Sequence, residues 1–228
     1  MLHTTQIAPE PRIQLVGRAV FLVSGGIDSP VAASMLIRKG VTPVFAYFDN
    51  YPLCNQAAEG IAIDATKRVC TFHKLSHVTF HSVPHSPDLG EIVAKCPEKF
   101  ACILSRRLMF RIAEKIGLHN HCDAIVTGDV IGQKASQTLQ NITATDCVMQ
   151  RLPVLRPLVG TNKLDIERYA KQIGTYEISI RPGVATCGVP TRNPSTNARK
   201  VRLEEVEADL NIPSMVDRAL KSTRSIKL

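Results

Sequence analysis

Residues 22–30 read LVSGGIDSP, and their types suit one kind of chemistry. Gly25 and Gly26 let the backbone turn tightly and approach a ligand, Ser24 and Ser29 add hydroxyl donors, and Asp28 adds a carboxylate. An apolar run at 19–23 reads as a buried strand. A helical pattern at 31–40 follows, with Ser29 placed as N-cap and Pro30 at the first helical position. Such a strand-to-helix turn gathers free N–H groups and the positive end of a helix dipole around one small volume, which favours an anion such as phosphate. A carboxylate beside phosphate is useful when Mg²⁺ lies between them, and Asp28 is that carboxylate. The motif is not a Walker A loop, because the spacing differs and no lysine follows the glycines. A tight turn that needs glycine for its backbone angles is the structural alternative.

Other stretches carry candidate chemistry. Residues 126–141, VTGDVIGQKASQTLQN, begin at a strand end and become small and polar. Gly128 and Gly132 permit close backbone approach there, and Gln133, Ser136 and Gln137 offer hydrogen bonds to a purine or a ribose; a polar surface loop is the alternative. Arg106 and Arg107 fall early in a helix, where positive charge opposes the local dipole unless an anion offsets it, and one of the pair is expected to be solvated. His73, His77, His81 and His85 recur every four residues, a metal-binding face on a helix, but HVTFHSVPH has strand character and Pro84 breaks a helix, so zinc is not expected. Cys187 lies in RPGVATCGVPTR, a loop flanked by Pro182 and Pro190. Exposure beside Arg181 and Arg192 favours its thiolate, with an ordinary loop cysteine as the alternative.

Alternating strands and helices must position these groups. Strands are expected at 19–23, 42–48, 76–83 and 124–128, and helices at 57–71, 101–117 and 163–173, the last capped by Asn162 and stopped by Gly174. That rhythm implies an α/β fold, a doubly wound and mostly parallel sheet with helices on both faces. Ligands then bind beyond the carboxyl ends of the strands, where SGGIDS falls, and the ends of FAYF and AIVTG line the same crevice. The 228 residues suit a domain of 18–210 between an N-terminal extension, 1–17, and a basic C-terminal tail, 211–228. Seven scattered cysteines do not read as a disulfide framework; with no bilayer-spanning apolar run and no signal peptide in the opening residues, a cytoplasmic chain away from membranes is expected. A net charge of +8 favours a polyanionic partner, with basic residues concentrated after Arg181.

SGGIDS resembles the signature of the PP-loop ATP pyrophosphatases, whose fold is adenine nucleotide alpha hydrolase-like. More narrowly, LVSGGIDSPVAASMLIRKG, SRRLMFRIAEKI, AIVTGDVIGQKASQTLQNI and VLRPLVGTNKLDIERYAKQIGTYEISIRP resemble the catalytic domain of the tRNA 4-thiouridine synthetase (tRNA sulfurtransferase) family, which is also linked to thiamine thiazole biosynthesis. The resemblance runs from Arg18 to Lys200. It implies ATP contacts at Leu22, Val23, Ser24, Gly25, Gly26, Asp28, Ser29, Tyr47, Phe48, Arg106, Gly128 and Gln137, with Asp28 near Mg²⁺. It implies that Cys187 handles sulfur, with Cys102 as the next candidate. Some archaeal-type members carry a Cys-x-x-Cys pair where this chain has Cys102 and Ser105, so an iron–sulfur cluster held in that way lacks a ligand, and Cys96 would replace it only at a different spacing. Asp129 stands where the family commonly has glutamate. A ferredoxin-like region, a THUMP domain and a rhodanese domain are expected to be absent.

The resemblance therefore implies an ATP-dependent sulfurtransferase that adenylates O4 of a uridine in tRNA and replaces it with sulfur, releasing AMP and pyrophosphate. Expected partners are tRNA, a sulfur donor (a persulfide carrier or sulfide), a separate THUMP-type tRNA-binding protein, and a second copy in a homodimer. Two alternatives stay open. One is a PP-loop adenylating enzyme acting on a small molecule or free base, thiamine thiazole sulfur transfer included. The other is a non-catalytic nucleotide-binding subunit of a tRNA-modifying complex.

Overall fold

Apolar and β-branched residues crowd the central strands because helices cover both faces of the sheet. The computed structural model describes residues 16–183 and 193–228. The first half runs β1 (Gly17–Val23), α1 (Asp28–Arg38), β2 (Val41–Asp49), α2 (Ala58–Phe72), β3 (Thr79–Pro84), α3 (Ser86–Lys95) and α4 (Ala101–His119). The second half adds β4 (Ala124–Val126), α5 (Leu139–Asp146), β5 (Val154–Leu155), α6 (Lys163–Ile173), α7 (Tyr176–Ser179), α8 (Lys200–Glu207), α9 (Ile212–Lys221) and β6 (Arg224–Lys227). Short 3-10 turns lie at Glu98–Phe100 and Ala135–Gln137.

The strands form one sheet in the order β5-β4-β1-β2-β3-β6, parallel except for β6, which runs antiparallel to β3. Val20, Val44, Phe48 and Val83 pack on one face against Leu104 and Leu108 of α4 and Met215 of α9. Phe21, Phe45, Tyr47 and Phe80 pack on the other against Val31 of α1, Val69 of α2 and Ile166 of α6. This is the expected doubly wound α/β architecture. The chain leaves β1 toward β2 on one side and later returns to β4 on the other, so the switch point lies between the carboxyl ends of β1 and β4. Gly128, just past β4, meets the start of α1 there, and a Cβ on it would lie 2.7 Å from the Ser29 amide nitrogen.

Three local expectations change. Helix α1 begins at Asp28, earlier than the Ser29 cap predicts; Ile27 holds the cap position and no side chain caps the helix. Pro30 is tolerated inside that first turn because its missing N–H would have had no intrahelical acceptor. Arg107 is not solvated: it is 1% exposed, with Nε and Nη2 donating to the two carboxylate oxygens of Glu207 at 2.7 and 2.8 Å. Arg111 donates to the same carboxylate. Residues 211–228, expected as a basic tail, form α9 and β6 instead. Met215, Val216 and Ala219 bury one stripe of α9, and β6 pairs with β3 from Thr79 to Ser82. Much of that segment's charge is answered, since Arg218 binds Asp88 and Glu91 and Arg224 binds Glu59. By contrast, α6 follows its sequence signals: Asn162 Oδ1 accepts from the Leu164 amide at 2.8 Å, and Gly174 closes the helix at φ 76°.

His85, the first residue after β3, is fully buried, with Nε2 2.8 Å from Ser105 Oγ on α4 and its ring edge-on to Phe48. Burial pulls its pKa from 6.5 down to about 4. The unfolded chain takes up this proton first, so the contribution to stability is whole above pH 6.5 and is lost as pH falls toward 4. The slope approaches about 1.4 kcal/mol per pH unit in that window. Calorimetric melting across the window should show a steeper acid-side fall in Tm for the wild type than for His85→Gln; equal slopes would contradict this account. Gly128→Ala should lower Tm at every pH, because backbone and not a flexible side chain meets the added methyl.

Candidate functional site

The turn after β1 is braced by its own serines. Ser29 Oγ accepts from the Ser24 amide at 2.8 Å and lies 3.1 Å from Ser24 Oγ, which accepts from the Gly26 amide at 3.2 Å. Ser24 and Ser29 therefore hold the loop's shape before they hold any ligand. A Cβ on Gly25 would stand 3.0 Å from Ile61 Cγ2 of α2, so the glycine lets the turn lie close on that helix. The first-turn amides of α1 have no intrahelical acceptors and make an anion-binding end.

Asp28 opens α1 at this turn. Burial raises its carboxyl pKa, while the Lys134 and Lys163 ammonium groups pull it down and Asp129 pushes it up. The Lys134 ammonium, from the β4–α5 connection, and the Lys163 ammonium, from the first residue of α6, thus act on the Asp28 carboxyl, and so does the Glu167 carboxylate of α6, which pushes its pKa up. Negative phosphate oxygens would find a dipole end and two ammonium groups here, and the Asp28 carboxylate could share a divalent cation with them.

Asp129 is not that carboxylate. It is 3% exposed, and its Oδ2 accepts from Arg106 Nη2 at 2.6 Å, Thr127 Oγ1 at 2.8 Å and Arg156 Nε at 3.2 Å. Its Oδ1 accepts from Gln137 Nε2 at 3.2 Å. Burial alone would push this carboxyl up; Arg106, the Thr127 hydroxyl, Arg156 and Gln137 together hold it below the usual carboxylate range. Arg156 also donates to both oxygens of Asp146. Arg106 and Gln137 are held by Asp129, yet Arg106 Nε and Gln137 Oε1 are buried with no partner among the described residues. A ligand with a matched acceptor and donor would complete both.

The remaining expected contacts divide. Tyr47 and Phe48 end β2 beside the crevice with their rings buried in opposite faces of the sheet, at 2% and 7% exposure, and the Tyr47 hydroxyl is buried with no partner among the described residues. Val23 is buried likewise and Leu22 is half-buried, both at the end of β1. Cys102 is half-buried in the first turn of α4. Cys187 lies outside the described residues. Burial raises the thiols of Cys70 and Cys122 to about 11, which suits packing and not reactivity. Ser105, where some relatives carry a cysteine, spends its hydroxyl on His85, and Cys96 faces the Val206 carbonyl, so these residues do not fit a cluster. No group of three metal-ligating side chains occurs among the described residues. His73 and His81 turn to Ser34 and Ser225, away from any common centre. No described helix is long and apolar enough to cross a membrane.

Reading by residue type missed Lys134, Lys163 and Arg156. Each lies within a stretch already singled out; Arg156, just after β5 and before Pro157, carried a local signal, and Lys134 and Lys163 did not.

Known proteins resemble this chain in sequence and in shape. A family model described as thiamine biosynthesis protein (ThiI) matches residues 15–212. A probable tRNA sulfurtransferase of Acetivibrio thermocellus is 38% identical over 213 residues, which are 93% of this chain and 54% of that protein. Another probable tRNA sulfurtransferase, from Alkaliphilus oremlandii, is 38% identical over 216 residues with the same coverage. The chain thus spans about half the length of the curated relatives it matches. A crystal structure of a 4-thiouridine synthetase–RNA complex with bound ATP superposes with a TM-score of 0.89 at 36% identity, covering 95% of this chain and 56% of that one. The NMN synthetase of Francisella tularensis, at 14% identity and a TM-score of 0.52, shares the fold; it covers 89% of this chain and 76% of that one. By the reach of the family model and the similarity of these relatives, the chain belongs to the ThiI family.

Proposed function

We propose that this chain is the catalytic unit of an ATP-dependent tRNA sulfurtransferase that converts a uridine to 4-thiouridine. The observation that carries the reading is the convergence at the switch point of the serine-braced glycine turn, the α1 amides, Asp28, Lys134 and Lys163. The ATP-bound 4-thiouridine synthetase of like fold, and relatives named as tRNA sulfurtransferases, support it.

Uridine O4 is a poor leaving group until it is bonded to phosphorus. In the reaction, O4 attacks the α-phosphorus of ATP and pyrophosphate departs. Sulfur then adds at C4, and AMP leaves with the former O4. The α1 amides, Lys134 and Lys163 neutralise the charge that builds on pyrophosphate. Asp28 would hold Mg²⁺ with phosphate oxygens, the ion adding charge neutralisation when bound. Arg106 Nε and Gln137 Oε1 meet the nucleotide. With sulfide as donor, hydrosulfide adds at C4 directly; with a persulfide carrier, the outer sulfur passes to Cys187 as the carrier's thiol leaves, adds at C4 as AMP departs, and an added thiol reductant then cleaves the Cys187 S–S bond to free 4-thiouridine. Soluble sulfide or a persulfide carrier is the donor, and tRNA is held chiefly by charge. RNA binding therefore weakens steeply with salt.

The test is incubation of the chain with tRNA, ATP, Mg²⁺ and sulfide, followed by nucleotide chromatography and nucleoside mass spectrometry. AMP, pyrophosphate and 4-thiouridine are expected; ADP and orthophosphate would overturn the assignment. Asp28→Ala should lower pyrophosphate release by about 10²–10³, the loss typical for removing one charge-stabilising contact. Cys187→Ser should keep pyrophosphate release and lose thionucleoside with a persulfide donor. Full thiolation by that variant would make Cys187 an ordinary loop cysteine.

A further inference from the structure

Gln137 is buried at 5% exposure, and its backbone is pinned from both sides. Its amide donates to the Lys134 carbonyl at 2.8 Å, and its carbonyl accepts from the Gly132 amide at 3.0 Å. Its side chain donates through Nε2 to Asp129 Oδ1 at 3.2 Å. Its Oε1 is buried with no partner among the described residues.

Asp129 fixes which end of that carboxamide is left over. Its two oxygens have separate duties: Oδ2 accepts from Arg106, Thr127 and Arg156, while Oδ1 accepts from Gln137. Against the upward push of burial, Arg106, the Thr127 hydroxyl, Arg156 and Gln137 hold the carboxyl below its ordinary value. At neutral pH it is therefore a carboxylate with no proton to donate. A carboxamide beside such an oxygen turns its NH₂ toward it and its carbonyl oxygen away. The reverse orientation would set two acceptors against each other in a buried place. The surroundings are those of the crevice. Asp129 acts on the Asp28 carboxyl, Gly128 before it packs against the start of α1, and Lys134 precedes the turn that ends at Gln137.

We propose that Asp129 is a positioning residue for nucleotide specificity: by holding Gln137 Nε2 it leaves Oε1 as a fixed acceptor. The site then selects a nucleotide that brings a hydrogen-bond donor, the amine of the base or a ribose hydroxyl. This rests on the ATP site of the reading above and not on the sulfur step. Asp129→Asn would reverse the polarity. Arg106 and Arg156 demand an acceptor at the Oδ2 position, so the new amide nitrogen takes the Oδ1 position and donates. Gln137 then turns Oε1 to that nitrogen and offers Nε2 to the ligand.

The experiment measures the affinity of the full chain for ATP with Mg²⁺ by displacement of radiolabelled ATP. The competitors are ITP, whose base has a carbonyl in place of the amine, 2′-deoxyATP and 3′-deoxyATP. The wild type should bind one of the three about tenfold or more weaker than ATP, because the analogue leaves a buried acceptor unanswered. ITP as the weak one assigns the base amine, and a deoxy nucleotide assigns the hydroxyl it lacks. Asp129→Asn and Gln137→Leu should each lower that ratio about threefold or more, and a smaller fall in either would overturn the proposal. Thr127→Val leaves Oδ1 untouched and should keep the ratio; a fall matching that of Asp129→Asn would overturn it too. Because Asp129→Asn leaves two arginines short of charge and could fail to fold, Gln137→Glu tests the same contact. In mild acid its protonated carboxyl donates to Asp129 and keeps an acceptor for the ligand, so the wild-type ratio should hold there. The ratio should fall as pH rises and two carboxylates meet, while the wild type keeps its own; a ratio that ignores pH would count against the contact. A chain that follows these affinities but forms no thionucleoside would sink the sulfurtransferase reading and leave this inference standing. Equal affinity for all the nucleotides in a chain that does form thionucleoside would do the reverse, and a wild type that binds none of them would end both.

Discussion

A carboxylate stripped of water must be repaid by donors or it protonates, and Asp129 shows how this chain meets that constraint. Its four partners come from the start of α4, from the β4–α5 connection and from the end of β5. Arg156 then passes the link to Asp146 at the end of α5. One buried charge thereby fixes the relative places of a helix, a loop and a short strand around the switch point. Breaking such a network by removing one partner typically costs about 3–5 kcal/mol, because the remaining charges stay buried and unanswered. The crevice can present Arg106 and Gln137 in fixed poses because their other donors are already committed to Asp129.

The strand–helix rhythm, the sheet's parallel character and the crevice at SGGIDS were legible because they rest on local signals. Apolar runs of strand length, a glycine turn and the Asn162 and Gly174 caps each act within a few residues. What could not be read depends on long-range pairing. Arg106 and Arg107 look alike in sequence, but one turns to Asp129 and the other to Glu207, a hundred residues away. The C-terminal segment carries its charge on exposed positions and hides an apolar stripe at Met215, Val216 and Ala219, so composition alone made it look like a tail. Ser29 has the composition of a helix cap, but its hydroxyl pairs with Ser24 across the turn.

The site itself was partly legible for the same reason. Glycines and an aspartate in sequence mark the tight turn at the crevice, because a tight backbone is a local property. Lys134 and Lys163 approach Asp28 only after the crossovers place their loops at the same end of the sheet. Tyr47 and Phe48 show the converse: they sit at the right strand end, yet alternation along the strand sends both rings into the core. Position along an element was readable, and side-chain direction was not.

Strand β6 has a consequence beyond closing the fold. The free edge of a parallel sheet is a row of unpaired amides and carbonyls that can recruit strands from other molecules. Here β6 covers that edge of β3, and exposed Arg224 and Lys227 flank what it offers in turn. At the opposite end the outermost strand, β5, is only two residues long. One border is guarded by like charge and the other by shortness, so neither gives a long apolar ribbon on which amyloid-like stacking or runaway polymerisation could begin.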